Sequence, residues 1–270
     1  MKRVKRGHGA GIVTLTTDFG TADGYAASLK GVILAALPRA NVVDLAHDLA
    51  HGDVAAASAL LARAAPLFPS GTVHVAVVDP GVGTERRGLA LAVGGQRYVG
   101  PDNGIFTGVL SQSDAAEARA LENQGLWRPE VSPVFHGRDI FAPVAAYLAA
   151  GGELGSVGSA VASESLVRLA SPVPTGGAAA LRGEVVHVDR FGNLVTNLPA
   201  PAGARGAAVE VAGRALPLSR TYGDVAPGAL VAVVGSSGMV EIAVRDGSAA
   251  AHLGAGAGLV IILRAPRESV

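Results

Sequence analysis

The sequence predicts an α/β protein in two parts: an amino-terminal α/β domain with a mostly parallel central sheet, then a smaller all-β domain, sandwich or barrel. Three observations carry this. Through the first two-thirds, strand-like apolar runs alternate with segments of helical periodicity. From about Leu181 the texture changes to short alternating runs bounded by Gly, Pro, Asp or Ser. Between the two, "ASPVPTGGAAA" (170–180) has the proline and glycine content of a linker. Domains are therefore expected at 11–172 and 183–267, joined by a linker at 173–182.

The elements follow in order. "IVTLT" (12–16) reads as a strand, and the apolar positions Tyr25, Leu29, Val32, Ile33 and Ala36 as a helix that Pro38 ends. "NVVDLA" (41–46) is a strand, "DVAAASALLARAAPLF" (53–68) a helix capped by Asp53, and "TVHVAVV" (72–78) a buried strand. The rhythm continues through "LALAV", "RYVGPDNG" and a helix after Phe141. The later strands are "GEVVHVD", "AAVEVAG", "ALVAVVG", "MVEIAV" and "GLVIILR".

Composition excludes several classes of function. The 22 basic and 22 acidic residues cancel, and no basic stripe with interleaved aromatics appears, so a nucleic-acid partner is not expected. No apolar run approaches the ~18 to 20 residues of a membrane span. The start "MKRVKRGHGAG" lacks the apolar core of a secretory signal and reads as a frayed tail. With no cysteine, disulfides and thiolate chemistry are excluded, which suits the cytoplasm. The seven histidines show no metal-ligand spacing. Glycine is the anomaly, its 37 copies being about twice the average share and clustered beside acids.

Those clusters stand at strand ends, where α/β folds bind ligands. In "TLTTDFGTADGY" (14–25) a strand delivers Asp18, which can accept from both hydroxyls of a ribose, and Gly20 lets the backbone fold close; equally, Thr21 or Asp23 could simply cap a helix. No GxGxxG follows, which argues against a dinucleotide cradle and a redox enzyme. In "VVDPGVGTERRG" (77–88), Asp79 ends a strand so apolar that its charge needs a partner, and an arginine of the pair Arg86 and Arg87 is at hand; a tight turn with solvent-facing arginines is the alternative. Asp102 and Asn103 in "YVGPDNGIF" (98–106) are read as structuring the loop, with lining a pocket as the alternative. In "PVFHGRDIFAPVAAYL" (133–148), His136 is a candidate for chemistry, while Asp139 could serve as N-cap or first-turn acid. Downstream, "HVDRFGNLVTNL" (187–198) offers Phe191 to stack on a planar base and Asn193 to pair with an adenine edge, or merely a hairpin turn.

Taken in order, "TDFGTADGY", "VVDPGVGTERR", "GPDNGIF", "FHGRD", "DRFGNLVTN" and "GSSGMVEIAV" make the chain resemble, from Ile12 to about Leu263, the S-adenosylmethionine hydrolases (SAM hydroxide adenosyltransferases), relatives of fluorinase and chlorinase. The resemblance implies an α/β sandwich-like domain followed by an antiparallel β-barrel, and a homotrimer with sites between subunits. It implies cleavage of S-adenosyl-L-methionine by water to adenosine and L-methionine, with no cofactor. By motif position, Asp79, Arg86 and His136 match the set that activates water. Asp18 matches the ribose acid, with Asp79 close by; Phe191 and Asn193 match the adenine side; Asp23, Asp189 and Ser236 match the methionine side. Glu241, in the same segment as Ser236, joins the substrate-binding candidates.

In the halogenating relatives a tyrosine replaces Asp79 and other residues replace the histidine and glycine of "FHG"; the fluorinase also carries an inserted loop that "LALAVGGQRYVGPDNG" leaves no room for. Water is therefore the expected nucleophile rather than halide. An arginine of the fluorinase is Ser237 here, which affects the carboxylate end of the ligand. An acid held by an arginine is a poor base, so Asp79 is cast as the orienter of water and His136 as the proton acceptor. Gly137 is expected to leave space for the attacking water. The alternatives are a chlorinase-like halogenase and a non-catalytic adenosine or S-adenosylmethionine binder.

Overall fold

The computed structural model describes residues 11–113, 116–170, 172–200 and 206–265. The basic amino-terminal segment read as a tail lies outside the described residues. The chain divides into two compact units between Leu169 and Ala170.

The first unit is built on a six-stranded sheet. Its elements are β1 (Ile12–Thr17), α1 (Tyr25–Ala36), β2 (Asn41–Ala46), α2 (Val54–Ala64), β3 (Val73–Val77), β4 (Gly88–Val93), β5 (Gln96–Pro101), α3 (Thr107–Leu110), β6 (Ala116–Ala120) and α4 (Ala142–Ala149). The strand order is β2-β1-β3-β5-β4-β6, and only the pairings of β4 with β5 and β6 are antiparallel. Every residue of β3 is buried, as befits a central parallel strand covered on both faces. Val73, Val75 and Val77 pack with Leu29 and Ile33 of α1 and with α4, while Ala76 and Val78 pack with Ala57 and Leu61 of α2 and with α3. Each fully buried Leu or Ile here contributes about 1.5–3 kcal/mol.

Helix starts show how local chemistry and context divide the work. Asp53 caps α2 by accepting the Ala56 N–H at 2.8 Å, as its sequence position indicates. At α1 the expected caps are wrong: Gly24, with φ of 75°, occupies the cap position and no side chain caps the helix. Thr21 and Asp23 stand too early in the turn to reach the first free N–H groups, and the left-handed glycine makes the entry instead.

The second unit contains β7 (Thr175–Gly177), β8 (Ala180–Val188), β9 (Leu194–Pro199), β10 (Ala208–Val211), β11 (Arg214–Ser219), β12 (Leu230–Val234), β13 (Met239–Val244), α5 (Ala249–Leu253) and β14 (Val260–Arg264). Strands β14-β10-β11-β12-β13-β9-β8 close into a seven-stranded barrel through the β8–β14 pairing. Closure removes the free sheet edges. One junction departs from the antiparallel expectation: β11 and β12 run parallel, Leu218 opposite Ala232. Within the stretch read as a linker, β7 pairs with β8, Thr175 opposite Arg182. Among the described residues, no helix is long and apolar enough to cross a membrane.

Candidate active site

The chain leaves β1 for β2 on one side and reaches β3 on the other, so the crossovers diverge and open a crevice at the carboxyl ends of β1 and β3. Asp18 follows β1 and Asp79 closely follows β3. The Asp18 side chain is buried; its Oδ2 accepts the Gly52 N–H at 2.9 Å and lies 3.3 Å from Nδ1 of the exposed His51. Beneath it the loops after β1 and β2 are tied together, with Thr17 Oγ1 2.8 Å from Nδ1 of the buried His47 and the Gly20 N–H donating to the His47 carbonyl at 2.7 Å. Gly20 has φ of 64°, so the close fold foreseen at this glycine uses a left-handed backbone. Phe19, Tyr25 and Phe135 pack edge to face beside it, with centroids 5.4–6.2 Å apart. Asp23 is exposed in the turn before α1.

Asp79, Arg86 and His136 come together in one hydrogen-bonded chain. Arg86 Nε donates to Asp79 Oδ1 at 2.9 Å and to Oδ2 at 3.0 Å, and its Nη2 donates to Oδ2 as well. The side chains are only 4% and 11% exposed for Asp79 and Arg86, which makes this a largely desolvated pair. Arg86 Nη2 also lies 3.1 Å from His136 Nδ1. A guanidinium only donates, so Nδ1 accepts and the neutral ring carries its hydrogen on Nε2. Burial, and next the Arg86 charge, hold the His136 pKa below its ordinary value. The neighbouring arginine turns elsewhere: Arg87 reaches Asp102 at 2.7 and 3.0 Å, and Asp102 accepts the Val167 N–H at 2.9 Å. Asn103 Nδ2 donates to the Val78 carbonyl at 2.8 Å and so braces the peptide leading to Asp79.

His136 is delivered by a loop with its own anchor. The chain enters α4 through a π-helical turn, Gly137–Phe141, and of the two readings of Asp139 the N-cap is corrected while the first-turn acid holds. Asp139 is a first-turn acid, but its fully buried carboxylate faces the loop: it accepts from Arg128 at 2.8 Å, Arg138 at 2.7 and 2.8 Å, and the Ser132 N–H at 2.9 Å. Burial alone would raise its pKa, yet the Arg138, Ser132 and Arg128 contacts hold it down to about 2. A Cβ at Gly83 would stand 2.6 Å from the Pro133 carbonyl oxygen, so a glycine with φ of 79° lets the loop carrying Arg86 approach the one carrying His136. At Gly137 the expected space for water is corrected. A Cβ there would meet Val77 Cγ1 at 3.3 Å and Phe19 Cζ at 3.6 Å, so the missing side chain permits packing on the strand end.

The barrel unit carries a second cluster. Asp189 organises its own turn: Oδ1 accepts the N–H groups of Phe191 and Asn193 at 2.8 and 2.9 Å, and Oδ2 accepts Asn193 Nδ2 at 2.9 Å. Asn193 is thereby buried with its amide N–H committed, while Phe191 stands 76% exposed at the tip. Tyr222, which the sequence reading missed inside an unassigned turn, donates its hydroxyl to Glu241 Oε2 at 3.2 Å. Burial first, then the charges of Glu241 and Asp189, push its pKa up. Ser236 is exposed in the β12–β13 turn, and the Glu241 carboxylate folds over the backbone of Gly235. Among the described residues, no group of three or more His, Cys, Asp or Glu is placed to hold a metal ion.

Comparison with known proteins matches residues 13–158 to the SAM hydroxide adenosyltransferase N-terminal domain and residues 183–262 to the corresponding C-terminal domain. An (R)-S-adenosyl-L-methionine hydrolase from Salinispora tropica is 43% identical over 250 residues, covering 90% of this chain and 93% of its own. A fluorinase from an Actinoplanes species is 32% identical over 216 residues, 71% of this chain and 72% of its own. Among solved structures, an uncharacterized conserved protein from Thermotoga maritima is similar with a TM-score of 0.86 and 36% identity, over 94% of this chain and all of its own.

Proposed function

The chain belongs to the SAM hydroxide adenosyltransferase family, and from that membership we infer that it is a hydrolase that cleaves S-adenosyl-L-methionine with water, giving adenosine and L-methionine. S-adenosyl-L-methionine is its substrate. The observation that carries the residue assignments is the chain of contacts from Asp79 through Arg86 to His136 at the end of β3. In this proposal a water oxygen attacks the ribose C5′ in line with the C5′–S bond, whose electron pair leaves with sulfur as the neutral thioether of methionine. Asp79 orients the water, Arg86 fixes Asp79 and His136, and His136 donates from Nε2 to the water oxygen. The role of proton acceptor that the sequence suggested for His136 is set aside, because Arg86 occupies its lone pair. Holding the reactants in line can supply about 7–11 kcal/mol over a bimolecular encounter.

Asp18 is proposed to accept from the ribose hydroxyls. Asp23 and Ser236 are proposed to reach the methionine end, with Phe191 stacking on adenine. Asp189, Asn193 and Glu241 are proposed to line the ligand by shaping the barrel turns rather than by spending their committed atoms on it. A homotrimer in which a neighbouring subunit completes each site is proposed on the family resemblance, with the exposed Phe191 ring free to stack on a ligand. Light scattering is expected to give three times the chain mass, and a monomer at working concentration would remove that part.

The test of function is incubation with each sulfonium epimer of S-adenosyl-L-methionine, with and without chloride, followed by chromatography. Adenosine is the expected product in both conditions. A 5′-halo-5′-deoxyadenosine peak would identify a halogenase, and substrate surviving unchanged would identify a binding protein. Asp79→Ala and His136→Ala are each expected to slow adenosine release by about 10²-fold or more; wild-type rates in both would remove the assigned residues.

A further inference from the structure

Hydrolysis of a sulfonium by water releases a proton, and none of the three residues above is free to carry it away: Asp79 stays paired to Arg86 while its remaining lone pair orients the water, and an acid so held is a poor base. Both oxygens of Asp79 take N–H bonds from Arg86, and the His136 lone pair faces the same guanidinium. Held this way, the neutral imidazole can only donate. A route to solvent beside the triad would take the proton from so poor a base as Asp79.

A pocket of ≈190 Å³, half open to solvent, borders Arg86 and His136, and its wall also includes Gly88, Leu121 and Trp127. Gly88 opens β4 and Leu121 follows β6, whereas Asp18 follows β1. With β3 and Asp79 between them in the sheet order, the cavity lies on the side of the triad away from the ribose acid. Trp127 supplies a second, independent observation: its indole nitrogen is buried and has no hydrogen-bond partner among the described residues. Leaving such a donor unsatisfied costs about 1–3 kcal/mol. A cavity of this size has room for several waters at about 30 Å³ each, and one bonded to the indole would recover that cost.

We propose that this cavity is a water chamber through which the proton of the attacking water leaves, with the Trp127 N–H holding its first water in place. The inference rests on the hydrolase reading. As the water oxygen bonds to C5′ and the C5′–S pair passes to sulfur, the proton goes to a chamber water and from there to solvent. Trp127 touches neither substrate nor reacting atoms and is a positioning residue; Leu121 forms part of the wall.

The chain contains one tryptophan, so the nitrogen-15 spectrum of the labelled protein holds a single indole N–H resonance. That resonance is expected to show a cross-peak to water in the substrate-free enzyme. Trp127→Phe keeps an aromatic ring but removes the donor. It is expected to lower kcat about tenfold, less than loss of a direct acid-base group would. KM should stay within about twofold and the solvent deuterium isotope effect on kcat should rise, as expected when proton removal becomes limiting. Absence of the water cross-peak overturns the proposal. So does a Trp127→Phe enzyme with unchanged kcat and isotope effect, or one whose only defects are a lower melting temperature and a raised KM. If the wild-type protein forms no adenosine, the hydrolase reading fails instead, and the cross-peak still decides whether the chamber is wet.

Discussion

Replacing Arg86 with methionine is expected to lower adenosine release by about 10²–10³-fold and to cost about 3–5 kcal/mol of folding stability. The stability loss comes from what is left behind. Asp79 is 4% exposed and takes its side-chain bonds from this guanidinium, so removal strands a carboxylate where water barely reaches. Arg86 also lies over the Phe141 ring at 5.2 Å, and methionine retains some of that packing, which keeps the variant a test of charge rather than of volume. Activity falls for a geometric reason, since one guanidinium sets the positions of both Asp79 and His136. Without it, the His136 pKa rises because the Arg86 charge no longer holds it down, and the ring gains a proton as pH falls at a higher pH than in the wild type. The His136 titration, followed by NMR of its ring, should therefore move up in pH. Arg86→Lys restores one charge but not the fork, so it should recover more stability than rate. Urea unfolding and chromatographic rates check both numbers, and a methionine variant as stable as the wild type would show that the pair contributes nothing to folding.

How much of this was legible in the sequence follows from how local each cause is. Asp79 could be singled out because an acid closing a wholly apolar strand demands a partner, and the candidates lay seven and eight residues away. Asp53 was legible for a similar reason, a cap being a matter of three residues. Asp139 was not: its Arg138 partner is adjacent, but Arg128 and the Ser132 N–H arrive through a loop whose path no periodicity reports. The cap of α1 failed because a left-handed glycine displaced two residue types that usually cap. The parallel β11–β12 junction was hidden because period-two alternation is the same in parallel and antiparallel strands. Strand β6, with the sequence AEARA, buries too little apolar surface to announce itself. Trp127 belongs to no charged motif, and its importance arises only where β4, β6 and the loop to His136 meet.

Lowering the pH from 7 to 4 is expected to remove about 3 kcal/mol of folding stability through His74 alone. This histidine lies fully buried in β3, with Nδ1 2.7 Å from Thr14 Oγ1, its ring stacked on Tyr98 at 5.1 Å and edge-on to Phe68. Burial holds its pKa down to about 4, against 6.5 in an exposed imidazole. The unfolded chain therefore binds a proton near pH 6.5 that the folded chain refuses until about pH 4. Between those values the unfolded state carries more protons, so stability rises with pH; the contribution is complete above about 6.5 and lost as pH falls toward 4. His136 has a lowered pKa too and steepens the same window, whereas Asp139, at about 2, loses its contribution only below 3.8. His74→Gln separates the terms, because glutamine can still meet the Thr14 hydroxyl but does not titrate. Its unfolding free energy should start lower at pH 7 and fall less steeply toward pH 4, converging on the wild type. A variant that loses stability as steeply as the wild type across this window would place the acid sensitivity outside β3, and His74 would then be a packing residue whose charge never enters the folding equilibrium.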